Sequence, residues 1–183
     1  MFDLEKLAEA VAAFQRAIEI DPNARLAHIG LSYMLRKQGK LEEAVAACVK
    51  AIEIDPGDAF AHENLGYVLL DQGESREAVA AFEKAMAINP SLASTRNGFG
   101  IALHQQRKLE EAIAAYRKAI ELDPKYALAH INLGDALADQ GKLDEAIAAY
   151  RQGLSLKPDE YAKSRLAVAL ERQGAGVQKI DNK

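Results

Sequence analysis

The five prolines of this chain, Pro22, Pro56, Pro90, Pro124 and Pro158, lie 34 residues apart each time. A period of that length constrains the architecture before any element is assigned, because it marks one supersecondary unit copied along the chain. Four of the prolines follow Asp or Asn (Asp21, Asp55, Asn89, Asp123). Small residues keep the same phase, with Ala44, Ala78, Ala112 and Ala146 at one position and Ala51, Ala85, Ala119 and Gly153 seven residues on.

Within one period the hydrophobic pattern predicts two helices. From Ala61 to Leu70 apolar residues recur at helical spacing, and Gly73 follows where a left-handed residue suits the end of a helix. In the second half Ala112, Ile113, Tyr116, Ala119 and Ile120 share one face, while Glu110, Glu111, Arg117, Lys118 and Glu121 fall mostly on the other. Asp-Pro then stops the helix, because proline disfavours helical geometry in the residue before it. The unit is a helical hairpin that cannot bury both faces alone. Stacking on the next hairpin does so, which makes the array an all-α solenoid stabilised by nearest neighbours. Small side chains let the backbones approach, and Leu31, Leu65, Phe99 and Leu133, with Phe82, Tyr116 and Tyr150, are expected to fill the spaces between.

The chain is 49% hydrophobic with a formal net charge of -4, which suits a folded protein and gives no attraction to phosphate backbones or anionic lipid. Neither nucleic acid nor a membrane is an expected partner. Cys48 is the single cysteine and cannot close an intrachain disulfide; with no signal peptide and no membrane-spanning stretch, a cytoplasmic location is expected. Glu42-Glu43, Glu110-Glu111 and Asp144-Glu145 recur at the starts of second helices, where negative charge favours the helix dipole. They read as capping residues. Cys48 stands at the position of Phe82, Tyr116 and Tyr150 and reads as a buried thiol without an activating base. No phosphate loop, metal spacing or nucleophile arrangement is found, so no catalytic residue, metal ligand or cofactor is assigned and the chain is read as non-enzymatic.

The 34-residue period, Asn-Leu-Gly at 64–66 and 132–134, the phased alanines, the aromatic residues at 82, 116 and 150 and the closing prolines resemble tetratricopeptide repeats over roughly residues 3–174. The resemblance implies a right-handed α-solenoid of antiparallel helix hairpins forming a single domain. A half repeat at 3–20 precedes full repeats at 25–58, 59–92, 93–126 and 127–158; a polar capping helix at 159–174 follows, with 175–183 expected as a disordered tail. Two departures stand out. His28, His62, Arg96 and His130 occupy the family's usual Trp position, and Arg107 replaces the Gly of the third hairpin turn, where a left-handed residue costs on the order of 1 kcal/mol more than Gly. Equivalent histidines on stacked hairpins stand at least one interhelical spacing of about 8–10 Å apart, too far to share a metal ion. They are expected to serve packing or polar contacts. Gly98, in the third repeat, makes that repeat the softest candidate.

By the same resemblance, the first helices line a concave groove through the second, fifth, sixth, ninth, twelfth and thirteenth positions of each repeat. Repeat one supplies Leu26, Ile29 and Tyr33, beside Gly30, Arg36 and Lys37. Repeat two supplies Phe60, Glu63, Asn64, Tyr67 and Leu70, beside Asp71. Repeat three supplies Asn97 and Ile101, and repeat four Ile131, Asn132 and Asp135. Tyr33, Phe60 and Tyr67 offer rigid apolar contact. Asn64 and Asn132 either pair with the backbone of a bound peptide or bond to neighbouring helices. The expected function is a protein-protein interaction module that binds a peptide or amphipathic helix of another protein. Two alternatives remain: head-to-tail self-association through complementary half repeats at the two ends, and a substrate-recruiting fragment of a larger protein.

Overall fold

The computed structural model of the chain describes the backbone of residues 4–181 and the side chains of residues 5–174. Among the described residues there are ten α-helices and no strand, as the period of the hydrophobic pattern demands. They are α1 (Leu4–Ile20), α2 (Arg25–Lys37), α3 (Leu41–Ile54), α4 (Ala59–Asp71), α5 (Ser75–Ile88), α6 (Ala93–Gln105), α7 (Leu109–Leu122), α8 (Ala127–Asp139), α9 (Leu143–Leu156) and α10 (Glu160–Asp181). The chain divides into two compact units, Met1–Pro90 and Ser91–Lys183. In the N-terminal unit each of α1 to α4 packs on the next, and the first helices α2 and α4 touch one another. In the C-terminal unit α6 to α10 follow the same order, with α8 touching both α6 and α10. Among the described residues no helix is long and apolar enough to cross a membrane.

The hairpin turns share one hydrogen-bond pattern. Lys40 N–H donates to the Leu35 carbonyl and Gly39 N–H to Arg36; the same two bonds recur from Glu74 and Gly73, from Lys108 and Arg107, and from Lys142 and Gly141. This double bond satisfies carbonyls at the end of the first helix that have no partner within it, and it requires a left-handed residue between helices. Gly39, Gly73 and Gly141 adopt φ of 75°, 81° and 84°, and Arg107 follows them at φ 62°. The third turn therefore keeps its shape despite lacking glycine. The guanidinium of Arg107 donates to Asp139 at 3.2 Å, an exposed pair that offsets only part of the backbone cost.

The proline turns are built as regularly. Ala24, Asp58 and Tyr126 N–H groups donate to the carbonyls of Asp21, Asp55 and Asp123, closing a turn around each proline. The same aspartates accept at Oδ1 from the residue after the proline, Asn23, Gly57 and Lys125. An aspartate at this position thus ends one helix and braces the turn into the next. His28, His62 and His130 donate from Nε2 to the carbonyls of Pro22, Pro56 and Pro124 at 3.0, 3.1 and 3.0 Å. Each histidine ties its first helix to the preceding proline turn, a polar contact within the connecting turn rather than between the paired helices.

In the last three full repeats the interior of the hairpin is a glycine facing an aromatic ring. Phe82, Tyr116 and Tyr150 are at most 1% exposed. A Cβ added to Gly66 would stand 2.8 Å from the Phe82 ring, and one on Gly100 or Gly134 would stand 2.6 Å from Tyr116 or Tyr150. The first full repeat replaces both partners at once. Ser32 stands where Gly66 stands and Cys48 where Phe82 stands, both fully buried, so a larger residue on one helix faces a smaller one on the other. Burial drives the Cys48 thiol up to about 11, against the opposing effects of a Ser32 hydrogen bond and the Arg36 charge. Gly30 has a similar use, since any Cβ there would collide with the ring of Phe14 from α1.

The C-terminal helix differs from the sequence expectation. The backbone is helical to Asp181, whereas the sequence predicts a disordered tail from residue 175. Residues 1–3, 182 and 183, and the side chains from 175 onward, lie outside the described residues. Asp159 caps α10 by accepting from Ala162 N–H at 2.8 Å. The outward side of α10 is not uniformly polar, because Tyr161, Val168 and Leu170 are exposed.

Candidate functional site

In the N-terminal unit, the first-helix face exposes large apolar side chains at one repeated position. Leu26 on α2 is 70% exposed and Phe60 on α4 is 53% exposed, both the second residue of their helix. Tyr33 is partly open, and Ile29, Asn64 and Tyr67 are half-buried. Glu63 and Leu70, also expected in the groove, are buried. The Tyr67 ring meets Phe82 edge to face at 5.2 Å between centroids, which anchors it from below. Arg36 lies over both tyrosine rings, 5.1 Å from the Tyr67 centroid and 5.9 Å from Tyr33, with its Nε 3.1 Å from an Asp71 carboxylate oxygen. Lys37 covers Tyr33 from 5.3 Å. This end of the face is a stacked cation and aromatic cluster fixed before any partner arrives.

In the C-terminal unit most of the expected groove residues are engaged in contacts between helices. Asn132 Nδ2 donates to Asn97 Oδ1 at 2.8 Å, linking α8 to α6, and Asn97 is buried. Ile131 is buried against Gly153, where a Cβ would stand 2.8 Å from Ile131 Cγ1. Asp135 is buried and accepts three hydrogen bonds, from Tyr150 Oη at 2.7 Å and from Tyr161 Oη and Arg165 Nε at 2.8 Å. It fastens α9 and α10 to α8. Burial, then the Asp135 hydrogen bond and charge, raises the Tyr161 phenol to about 12 and lifts Tyr150 further. Leu128 remains exposed on α8, at the position of Leu26 and Phe60, and Ile101 is half-buried.

A polar cluster closes the end of α6 and α8. His104 Nε2 donates to Asp139 Oδ2 at 3.0 Å, and Arg107 donates to the same oxygen. Partial burial works against the Asp139 charge, but the hydrogen bond from His104 and the charges of His104, Arg107 and Arg165 outweigh it and lower its pKa. Among the described residues no group of three His, Cys, Asp or Glu side chains is placed to hold a metal ion.

The N-terminal unit has a second surface that the sequence does not announce. Two open grooves, about 630 and 690 Å³, run along the opposite face, one between α1 and α3 and one between α3 and α5. Their floors are Leu31 and Leu35 in the first and Leu65 and Leu69 in the second. A sequence signal exists, in that Leu31 and Leu65 are expected to fill interhelical space, yet both are only partly buried. What the pattern lacks is the spacing of the second helices.

Models of the family described as tetratricopeptide repeat match residues 2–24, 59–92 and 127–160, and a further TPR repeat model matches 33–73 and 100–141. A search of curated protein sequences finds no match. Among solved structures, the thermophilic TPR protein TTC0263 of Thermus thermophilus is similar at a TM-score of 0.80 and 21% identity, over 91% of this chain and 92% of its own. PilF of Pseudomonas aeruginosa is similar at 0.76 and 29% identity, over 84% and 71% respectively. YrrB, a TPR protein with an unusual peptide-binding site, is similar at 0.67 and 23% identity, over 93% and 85%.

Proposed function

We propose that this chain, which belongs to the tetratricopeptide repeat family and is a protein-protein interaction scaffold, is a non-enzymatic module that holds an apolar or amphipathic peptide of another protein on the first-helix face of its N-terminal unit. The observation that carries this reading is the exposure of Leu26 and Phe60. On α2 and α4 the remaining large aliphatic side chains are buried or half-buried, and Leu35, Val68, Leu69 and Leu70 are at most 9% exposed. Helix packing therefore explains those residues and leaves Leu26 and Phe60 without a structural use. Large side chains left open on a preformed surface are where interface energy concentrates. YrrB, which shares the fold, has a peptide-binding site, so a peptide is the ligand class to test first.

The test is selection of binders from a displayed random peptide library against the intact chain, followed by affinity measurement on the Leu26→Ala/Phe60→Ala variant. Both side chains face solvent, so helical content and melting are expected to stay unchanged. Selected peptides are expected to lose at least about 2 kcal/mol of binding energy in the double variant. Unchanged affinity would overturn the assignment of this face.

A further inference from the structure

We propose that the two grooves on the second-helix face of the N-terminal unit dock a cationic amphipathic helix of a partner protein. Its apolar stripe would fill a groove while its Lys or Arg side chains meet the glutamates on the rim. This surface is separate from the one carrying Leu26 and Phe60, and it does not depend on that reading.

The grooves exist because the two layers of the unit are packed unequally. The first helices α2 and α4 touch, whereas among the described residues α1, α3 and α5 make no close backbone contact with one another. Each gap between consecutive second helices is floored by the first helix beneath it. The two gaps are chemical copies 34 residues apart. The floors pair His28 with His62, Leu31 with Leu65 and Leu35 with Leu69; the walls pair Ile18 with Ile52 and Ala47 with Ala81. The histidines are already bound to proline carbonyls, so the floor presents the leucines to whatever enters. Val49, on the wall of the second groove, is 42% exposed.

Length and charge select the occupant. Along the wall, the lining runs from Glu43 to Lys50 in one groove and from Glu77 to Lys84 in the other. Seven residues of helix rise about 10.5 Å, the span of side chains i, i+3, i+4 and i+7 on a helix laid alongside. The rims carry four carboxylates, Glu19, Glu43, Glu53 and Glu77, against the ammonium groups of Lys50 and Lys84. Lys50 is already 3.1 Å from Glu53. The same bias holds for whole helices, with eight acidic and five basic side chains in α1, α3 and α5 but two acidic and three basic in α2 and α4. A cationic helix is thus attracted to the second-helix face, and an anionic one is repelled.

The test uses the full chain, isotope-labelled, titrated with a helical peptide of about two heptads that places Leu at i, i+3, i+4 and i+7 and Lys elsewhere, beside a copy with Glu for Lys. The expected result is binding of the Lys peptide at least about tenfold tighter than the Glu peptide, with shifts centred on Leu31, Leu65, Ala46 and Ala80. Ala46 and Ala80 are exposed wall residues, so Ala46→Arg/Ala80→Arg should block the grooves without entering the core, and Glu43→Gln/Glu77→Gln should weaken binding without adding bulk. Leu26→Ala/Phe60→Ala should bind as the parent does. Equal affinity for the Glu peptide, no binding of the Lys peptide, shifts centred on other helices, or loss of binding only in the Leu26/Phe60 variant would each overturn the proposal.

Discussion

Replacing Asp135 with alanine should destabilise the C-terminal unit by about 2–4 kcal/mol, while replacing it with asparagine should cost about 1 kcal/mol. The difference follows from which atoms lose partners. Oδ1 accepts from Tyr150 and Arg165, and Oδ2 accepts from Tyr161. With alanine, Tyr161 is 56% exposed and regains water, as does much of Arg165, but Tyr150 is fully buried and keeps an unsatisfied hydroxyl. That hydroxyl alone costs about 1–3 kcal/mol, and the lost charge-assisted bonds add to it. Asparagine keeps an oxygen for Tyr150 and Arg165, and its amide can donate to a reoriented Tyr161 hydroxyl, so only the charge is lost. The assay is urea unfolding followed by circular dichroism, with amide exchange to locate the change. Residues 162–170 should lose protection first, because two of the three bonds come from α10. An alanine variant within about 0.5 kcal/mol of the parent, or an asparagine variant as unstable as alanine, would refute the reasoning.

Gly100→Ala should destabilise even though alanine ordinarily gains about 1 kcal/mol over glycine inside a helix, because its Cβ would stand 2.6 Å from the buried Tyr116 ring. A raised urea midpoint would contradict this. Cys48→Phe alone should overpack against Ser32, and adding Ser32→Gly should recover about 1 kcal/mol or more by recreating the Gly66 and Phe82 pair; a double-mutant cycle in urea measures the coupling, and additive effects would count against it. The phenol of Tyr161 titrates near 12 in the folded chain against 10.0 unfolded, so its contribution is complete below pH 10 and is lost as pH rises through 12. Melting of the parent and of Tyr161→Phe between pH 9 and 12 should show a smaller alkaline loss in the variant.

The hairpins are legible in the sequence because local signals agree at every level. Each proline, the aspartate before it and the residue of the hairpin turn act within a few residues, so reading them requires no knowledge of what lies across space. Arg107 shows the strength of that agreement, since it adopts the left-handed conformation its position demands. The groove is less legible because a position on a first helix does not reveal which neighbour takes the side chain. Asp135 and Leu128 lie seven residues apart on α8, yet one is enclosed by Tyr150, Tyr161 and Arg165 while the other is open. The arginine and second tyrosine come from α10, which starts at Glu160, one residue earlier than the 34-residue period from Ala127 would place it, so the strict period misplaces both. Gly30 stands in the sequence as a bare glycine among groove positions, whereas its use is to seat Phe14. Ser32 and Cys48 carry a readable signal as a pair, one partner enlarged and the other reduced at matched positions, which only a comparison across both helices exposes.

The exposed residues of the first-helix face bound the affinity that face can give. Burying Leu26 and Phe60 is worth about 1.5–3 kcal/mol each, or about 3–6 together, whereas association itself costs about 4–15 kcal/mol. Two anchors therefore cannot reach the roughly -12 kcal/mol of a nanomolar complex. A tight partner must extend toward Tyr33, Tyr67 and Arg36. There the guanidinium is already stacked on two rings and paired with Asp71, so little ordering entropy is lost when a partner lands on it. The same pairing compensates its charge in advance, so a partner carboxylate gains little from meeting it. Discrimination on this face must then come from the shape of the apolar partner. On the opposite face an excess of glutamates frames the grooves, and discrimination there comes from charge, so salt should weaken binding to the second-helix face more than to the first.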